Sequence, residues 1–114
     1  MREADLQDEI RLALGQVPGL AVWRNNVGVG SVGRAQTRVR YGLSVGSADL
    51  IGVVRMDSGI GRFIALEVKT AAGSVSPAQR QWLQLVGALG GYAAIVRSVE
   101  GALDAVEAAR RGET

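Results

Sequence analysis

Asp49 and the run Glu67-Val68-Lys69 have 17 residues between them, and these residue types could together hydrolyse a phosphodiester. Two carboxylates suit Mg²⁺ or Mn²⁺, hard cations that take oxygen ligands and keep several waters. The backbone carbonyl of Val68 could add a further oxygen. An ion held there would activate water and offset charge growing on the phosphate. Lys69 could orient that water or neutralise phosphate oxygens. It is the only lysine in the chain, against twelve arginines. A compact ammonium fits beside a carboxylate and an ion where a wide guanidinium fork does not. The bland alternative is an exposed Glu67–Lys69 pair on a strand, with Asp49 as a turn residue.

That chemistry requires Asp49 and Glu67 on neighbouring strands, and the hydropathy pattern supplies them. Asp49 opens the apolar run Leu50–Val54. After a turn over Met56–Gly61, Arg62–Thr70 alternates, with Ile64, Leu66 and Val68 on one face and Phe63, Ala65, Glu67 and Lys69 on the other. Around this pair, residues 3–16 read as an amphipathic helix (Leu6, Ile10, Ala13, Leu14), closed by Pro18-Gly19. Leu20–Arg24 reads as a short strand and Asn25–Gly33 as a Gly-rich loop. Gln36–Tyr41 reads as a half-buried strand. Ser76-Pro77 opens a second helix that Gly90-Gly91 ends. Tyr92–Val96 reads as a buried strand, and Ser98 starts a last helix carrying Leu103 and Val106. The expected fold is α/β, a single mixed β-sheet flanked by helices in the order α-β-β-β-α-β-α, with residues 1–114 forming one domain.

Composition excludes several alternatives. With no histidine, His-based triads and His-ligated zinc sites are ruled out, and with no cysteine so are disulfides and thiolate sites. A reducing, cytoplasmic setting in a bacterial or phage-infected cell is the corresponding expectation. The charged start Met1-Arg2-Glu3 shows no secretory signal, and the uncharged, largely apolar stretch Leu85–Val96 is too short to cross a membrane. Net charge is +2, yet Arg24–Arg62 holds six arginines against Asp49 and Asp57, which suggests a localised anionic partner. Gly28-Val-Gly30-Ser-Val-Gly33 matches a dinucleotide fingerprint in letters only. That fingerprint needs a helix starting at its glycines, and the residues after Gly33 alternate like a strand, so no nucleotide cofactor is expected.

The chain resembles the VRR-NUC domain of the PD-(D/E)XK nuclease superfamily, with its restriction-endonuclease-like core. The resemblance rests on Trp23-Arg-Asn-Asn-Val-Gly28, Tyr41-Gly42, Gly46-Ser-Ala-Asp-Leu-Ile-Gly52, Ala65-Leu-Glu-Val-Lys-Thr70 and Ser76-Pro-Ala-Gln79. Ala48 stands where the superfamily often has Pro before the Asp, a change that affects stiffness rather than chemistry. The resemblance implies Mg²⁺- or Mn²⁺-dependent cleavage of DNA, with Asp49, Glu67 and Lys69 as catalytic residues and Asp49, Glu67 and Val68 as metal ligands. Stand-alone members of this kind, often phage-associated, resemble Holliday-junction resolvases, which points to branched DNA and a homodimer. A non-catalytic DNA-binding module, a flap- or single-strand-directed nuclease and a restriction-type nuclease are the competing readings.

The family also implies a carboxylate from the first helix. At 100° per residue, Glu3 falls within about 40° of the middle of the Leu6/Ile10/Leu14 face and Glu9 about 90° from it, which favours Glu3 as catalytic residue and metal ligand. Gln79 has two readings. It completes a Ser76-Pro-Ala-Gln79 capping box, and it shares a face with Leu83 and Val86 from which it could reach the metal. Arg24, Asn25, Asn26, Arg34, Arg38 and Arg40 are the candidate DNA-binding residues, with guanidinium forks suited to phosphates. Aromatic residues are scarce, and Phe63 and Trp82 read as core, which argues against a single-strand binder built on stacking.

Overall fold

The computed structural model describes all 114 residues, with the element order α1 (Glu3–Leu14), β1 (Leu20–Arg24), β2 (Gly28–Val32), β3 (Thr37–Tyr41), β4 (Leu50–Arg55), β5 (Gly61–Val68), α2 (Pro77–Ala88), β6 (Tyr92–Val96) and α3 (Val99–Arg110). Four strands form one mixed sheet in the order β1-β4-β5-β6. β1/β4 and β4/β5 are antiparallel, and β5/β6 is parallel across the α2 connection. Leaving β2 and β3 aside, this is the expected α-β-β-β-α-β-α order around a mixed sheet.

The two faces of the sheet are covered unequally. α1 and α3 bury Leu50, Val54, Ile64, Leu66, Val68 and Val96 in a cluster of 13 residues that also takes Leu6, Ile10 and Leu14 from α1. Each aliphatic side chain removed from water there contributes about 1.5–3 kcal/mol, and Leu66→Ala would cost about 2–5 kcal/mol through the cavity left in the central strand. On the other face α2 covers only part of the sheet, packing its Leu83 against Ala48 and Ala65. Ala21, Val53 and Phe63, cross-strand neighbours on that face, stay exposed. Phe63 is therefore only partly core, meeting Trp82 edge-on at 6.5 Å between ring centroids.

Several details depart from the sequence reading. α1 ends two residues early, at Leu14. Leu103 faces outward, because α3 buries its small residues Ala102, Ala105, Ala108 and Ala109 together with Val106. The small residues of the C-terminal helix are thus core, not free surface. The largest departure lies in Asn25–Gly33, expected as a loop: residues 28–32 form β2, which pairs with β3 as a separate hairpin. β3 is exposed along its whole length rather than half-buried. The β2–β3 hairpin packs on no other helix or strand to any substantial extent and adds to the 50 Å long axis of the molecule.

Arg62, one of the six arginines of the basic middle segment and the expected start of a strand, is buried and so withdrawn from any anionic partner. It donates to the carbonyls of Gly90 (2.9 Å), Gly91 (3.3 Å) and Ala109 (3.1 Å), and its guanidinium lies 5.5 Å from the Tyr92 ring centroid. Carbonyls near the ends of α2 and α3 carry partial negative charge, which lets a cation sit there without a carboxylate. No helix is long and apolar enough to cross a membrane.

Candidate active site

The β4/β5 register sets the site. Leu50 pairs with Leu66, so one step beyond the last pair Asp49 stands opposite Glu67, with both side chains on the α2 face of the sheet. Residues directly opposite across antiparallel strands have Cβ atoms about 4.5–5.5 Å apart, and like charges there repel. Asp49 is fixed in place by Val68, whose N–H donates to its Oδ2 at 2.9 Å. The Val68 side chain points into the core on the opposite face, as the alternation predicts.

Glu67 is 1% exposed. Its Oε1 accepts a hydrogen bond from Gln79 Nε2 at 3.2 Å and lies 3.9 Å from Lys69 Nζ. Its Oε2 has no donor. Burial, then the Asp49 carboxyl within hydrogen-bonding reach and its charge, push the Glu67 carboxyl up to about 8. Lys69 opposes the shift, and Glu3 adds to it from α1. A buried, donorless oxygen beside a second carboxyl is stable only if a proton or a cation stands between the two groups. A divalent ion fits that requirement. No third acidic residue closes a set of three around the pair, but Mg²⁺ sites commonly use one or two carboxylates and fill the remaining positions with water.

The surrounding loop holds this arrangement together. Gly46 has φ +84°, and a Cβ there would meet the Ala78 carbonyl oxygen at 2.6 Å, so only glycine lets the loop pass under the start of α2. Ser47 is buried and donates to Ser44 O at 2.7 Å, and Ala48 is fully buried. Gln79 uses both ends of its amide. Oε1 accepts from Ser76 N–H at 2.9 Å to close the capping box, while Nε2 reaches Glu67.

Asp49 and Gln79 line a polar cleft of about 260 Å³ together with Arg24, Asn25, Asn26 and Gln7. A larger hollow, about 460 Å³ over Gly19, Val53 and Gly61, has Arg55 as its only charged side chain and no carboxylate to supply chemistry. Asp49, Glu67, Lys69 and Gln79 are thus brought together, with Arg24, Asn25 and Asn26 beside them. Glu3 is half-buried and acts on Glu67 through its charge, whereas Glu9 is exposed. Arg34, Arg38 and Arg40 stand apart on the hairpin, exposed and without ion-pair partners. Asn25 spends its side chain inside the protein, donating to Ser47 Oγ at 2.7 Å and Ala48 O at 2.9 Å and accepting from Leu43 N–H at 3.3 Å. The sequence reading assigned no role to Gln7 or Ser47. Gln7 could have been found from its place one helical turn beyond Glu3, whereas Ser47 carries no signal beyond its position in Gly-Ser-Ala-Asp.

A family model described as the VRR-NUC domain matches residues 30–100, well over half of the chain. No curated protein matches it.

Proposed function

The chain belongs to the VRR-NUC domain family, which gives it a nuclease-type role in DNA processing, and from that premise we propose that it is a Mg²⁺- or Mn²⁺-dependent endonuclease that hydrolyses phosphodiester bonds in branched DNA. The observation that carries this reading is the Asp49–Glu67 pair, two carboxyls face to face with one buried oxygen lacking a donor. Asp49 and Glu67 would hold the ion, and the Val68 carbonyl is the further oxygen nearest in sequence. When bound, the ion supplies charge to offset the phosphate and lowers the pKa of water at its side. Gln79 orients Glu67 by its hydrogen bond, and the Lys69 ammonium, 3.9 Å from Glu67 Oε1, is placed to neutralise phosphate oxygens. Arg24 and Asn26, on the cleft wall, offer donors to the DNA backbone.

The preference for four-way junctions and the homodimer belong to the same proposal. One chain holds one such pair of carboxyls, and paired nicks on opposed strands need two sites related by a two-fold axis. The bare strip Ala21–Val53–Phe63, next to exposed Trp23, is the apolar sheet surface that supports a second copy.

The test is cleavage of end-labelled four-way junctions, flaps, forks and single strands with Mg²⁺, Mn²⁺ or EDTA, alongside light scattering. The expected result is ion-dependent paired nicking of junctions by a species of about twice the 11.9 kDa chain mass. Binding without cleavage in either ion would overturn the nuclease reading. A monomer that cuts flaps or single strands faster than junctions would overturn only the junction and dimer parts.

A further inference from the structure

The β2–β3 hairpin has two different faces. Its register pairs Gly28 with Tyr41, Val29 with Arg40, Gly30 with Val39, Ser31 with Arg38 and Val32 with Thr37. Opposed residues share a face, so Val29, Ser31, Arg38 and Arg40 form a basic side. Gly28, Gly30, Val32, Thr37, Val39 and Tyr41 form the other. On that second side Tyr41 lies over Gly28 and Gly30, a cross-strand cover that stiffens a glycine-rich ribbon. Arg38 and Arg40, two residues apart on one strand, are about 7 Å apart, a spacing that lets them meet neighbouring phosphates. No Asp or Glu occurs between Ile10 and Ala48 to compete for them.

The base of the hairpin is tied to the active-site loop through one residue. Asn25 N–H donates to the Asp49 carbonyl at 2.7 Å. Its Nδ2 bridges Ser47 Oγ and Ala48 O, and its Oδ1 accepts from Leu43 N–H, just beyond the end of β3. Gly42, at φ +88°, packs so closely on Val27 that a Cβ would lie 2.7 Å from Val27 Cα. Val27 and Asn26, at the start of the hairpin, form part of the wall of the cleft that Asp49 lines.

We propose that the β2–β3 hairpin is an arm for duplex DNA, gripping the backbone with its Arg38/Arg40 face, and that Asn25 is the joint that sets which phosphate reaches Asp49 and Glu67. A two-stranded ribbon fits the major groove of B-DNA. The basic face bears no aromatic ring, so it is built for phosphates rather than for stacking unpaired bases. Asn25 is a positioning residue here: it touches the Asp49 loop and the hairpin exit, and both Nδ2 hydrogens and Oδ1 are engaged within the protein. This inference rests on the nuclease reading for the role of Asn25 and on charge and shape alone for the arm.

The experiment has two readouts on one labelled four-way junction with long duplex arms. Hydroxyl-radical footprints are taken in a Glu67→Gln background, with and without Arg38→Gln/Arg40→Gln. Cut positions are mapped at nucleotide resolution for the wild type, Asn25→Ala and Ser47→Ala, the last removing one acceptor of Asn25 with little change in volume. The arginine pair should erase a patch of backbone protection on duplex and raise Kd about tenfold. An unchanged footprint overturns the arm. Asn25→Ala should keep affinity within about twofold yet spread cuts over neighbouring phosphates, with Ser47→Ala doing so more weakly. Slower cutting at the wild-type phosphate alone, in both variants, overturns the joint. If the wild type cuts nothing, the nuclease reading falls and takes the role of Asn25 with it, while the footprint still decides the arm.

Discussion

Glu67 sits at 1% exposure with groups from β5, α2 and the β4 entry around its carboxyl, whereas Arg38 and Arg40 stand in water on a hairpin that packs on no other helix or strand to any substantial extent. The difference follows from what each region has to do. Charge at a reacting centre is effective when it is fixed and shielded from water, and the desolvation cost is carried by the packing around it. Charge that holds a polyanion works by releasing counterions, which requires exposure rather than burial. Asn25 is the one side chain bonded to both regions.

The largest effects belong to the buried side of this comparison. Asp49→Ala and Glu67→Ala should each lower cleavage by about a hundredfold to a thousandfold or more, with circular dichroism unchanged and ion binding abolished in calorimetry. Lys69→Ala should lose cleavage to a similar degree and keep most of its ion binding. Wild-type cutting by Lys69→Ala would remove lysine from the mechanism.

The next effect is on stability. Folded Glu67 keeps its proton up to about 8, against an ordinary value of 4.5. The stabilisation from that proton is full below about 4.5, falls as pH rises, and is gone above about 8. The ion-free protein should therefore melt several degrees lower at pH 9 than at pH 5. In Glu67→Gln, which keeps a neutral group between Asp49, Lys69 and Gln79, this dependence should flatten, and Mg²⁺ should restore the wild type at pH 9. Parallel pH profiles for the two proteins would mean that Glu67 is ionised in the folded, ion-free state, with Lys69 as its counterion.

On the exposed side, replacing Arg34, Arg38 and Arg40 by Gln should leave the melting temperature within about 2 °C, since surface changes away from packing cost little. It should weaken DNA binding and reduce the salt slope by about one unit for each phosphate that an arginine no longer neutralises. An unchanged slope in a salt titration would place the DNA path along Arg24 and the cleft instead.

The same contrast explains what was legible in the sequence. Asp49, Glu67 and Lys69 could be read because their residue types are demanding and the β4 and β5 patterns fix their faces; a slip of one residue would turn Glu67 into the α1/α3 core. For Gln79 the capping box and the sheet-facing side were each legible but not their coexistence, which depends on the two ends of one amide facing different partners. β2 was not legible, because Gly28-Val-Gly-Ser-Val32 has no alternating pattern to read and its pairing comes from β3 and the Tyr41 ring. β3 alternates, yet its Val39 and Tyr41 meet glycines instead of a core, so alternation there encoded two faces of a ribbon and not burial. The uneven cover of the sheet was hidden for a related reason: Val53 and Phe63 look like core residues, and only the placement of α2 over the Ala48/Ala65 end of that face leaves them bare.

The smallest effect concerns the edge of the buried region, where α1 meets it. Glu3 is half-buried and its charge raises the Glu67 carboxyl, while Glu9, further along the helix, is exposed and does not act on it. Glu3 is not close enough to complete a three-acid set with Asp49 and Glu67, so its contribution is through space, worth about 1 kcal/mol or less near a protein surface. Glu3→Gln removes a negative charge that draws a cation towards the pair, so the Mg²⁺ concentration for half-maximal cleavage should rise a few-fold, with the maximal rate nearly kept. The same change removes one of the charges that hold the Glu67 proton, so the pH at which the ion-free protein loses stability should move down. Glu9→Gln should move neither quantity. A loss of maximal rate in Glu3→Gln comparable to that of Glu67→Ala would make Glu3 a direct ligand, which would require the first turn of α1 to close on the pair when the ion and DNA are bound.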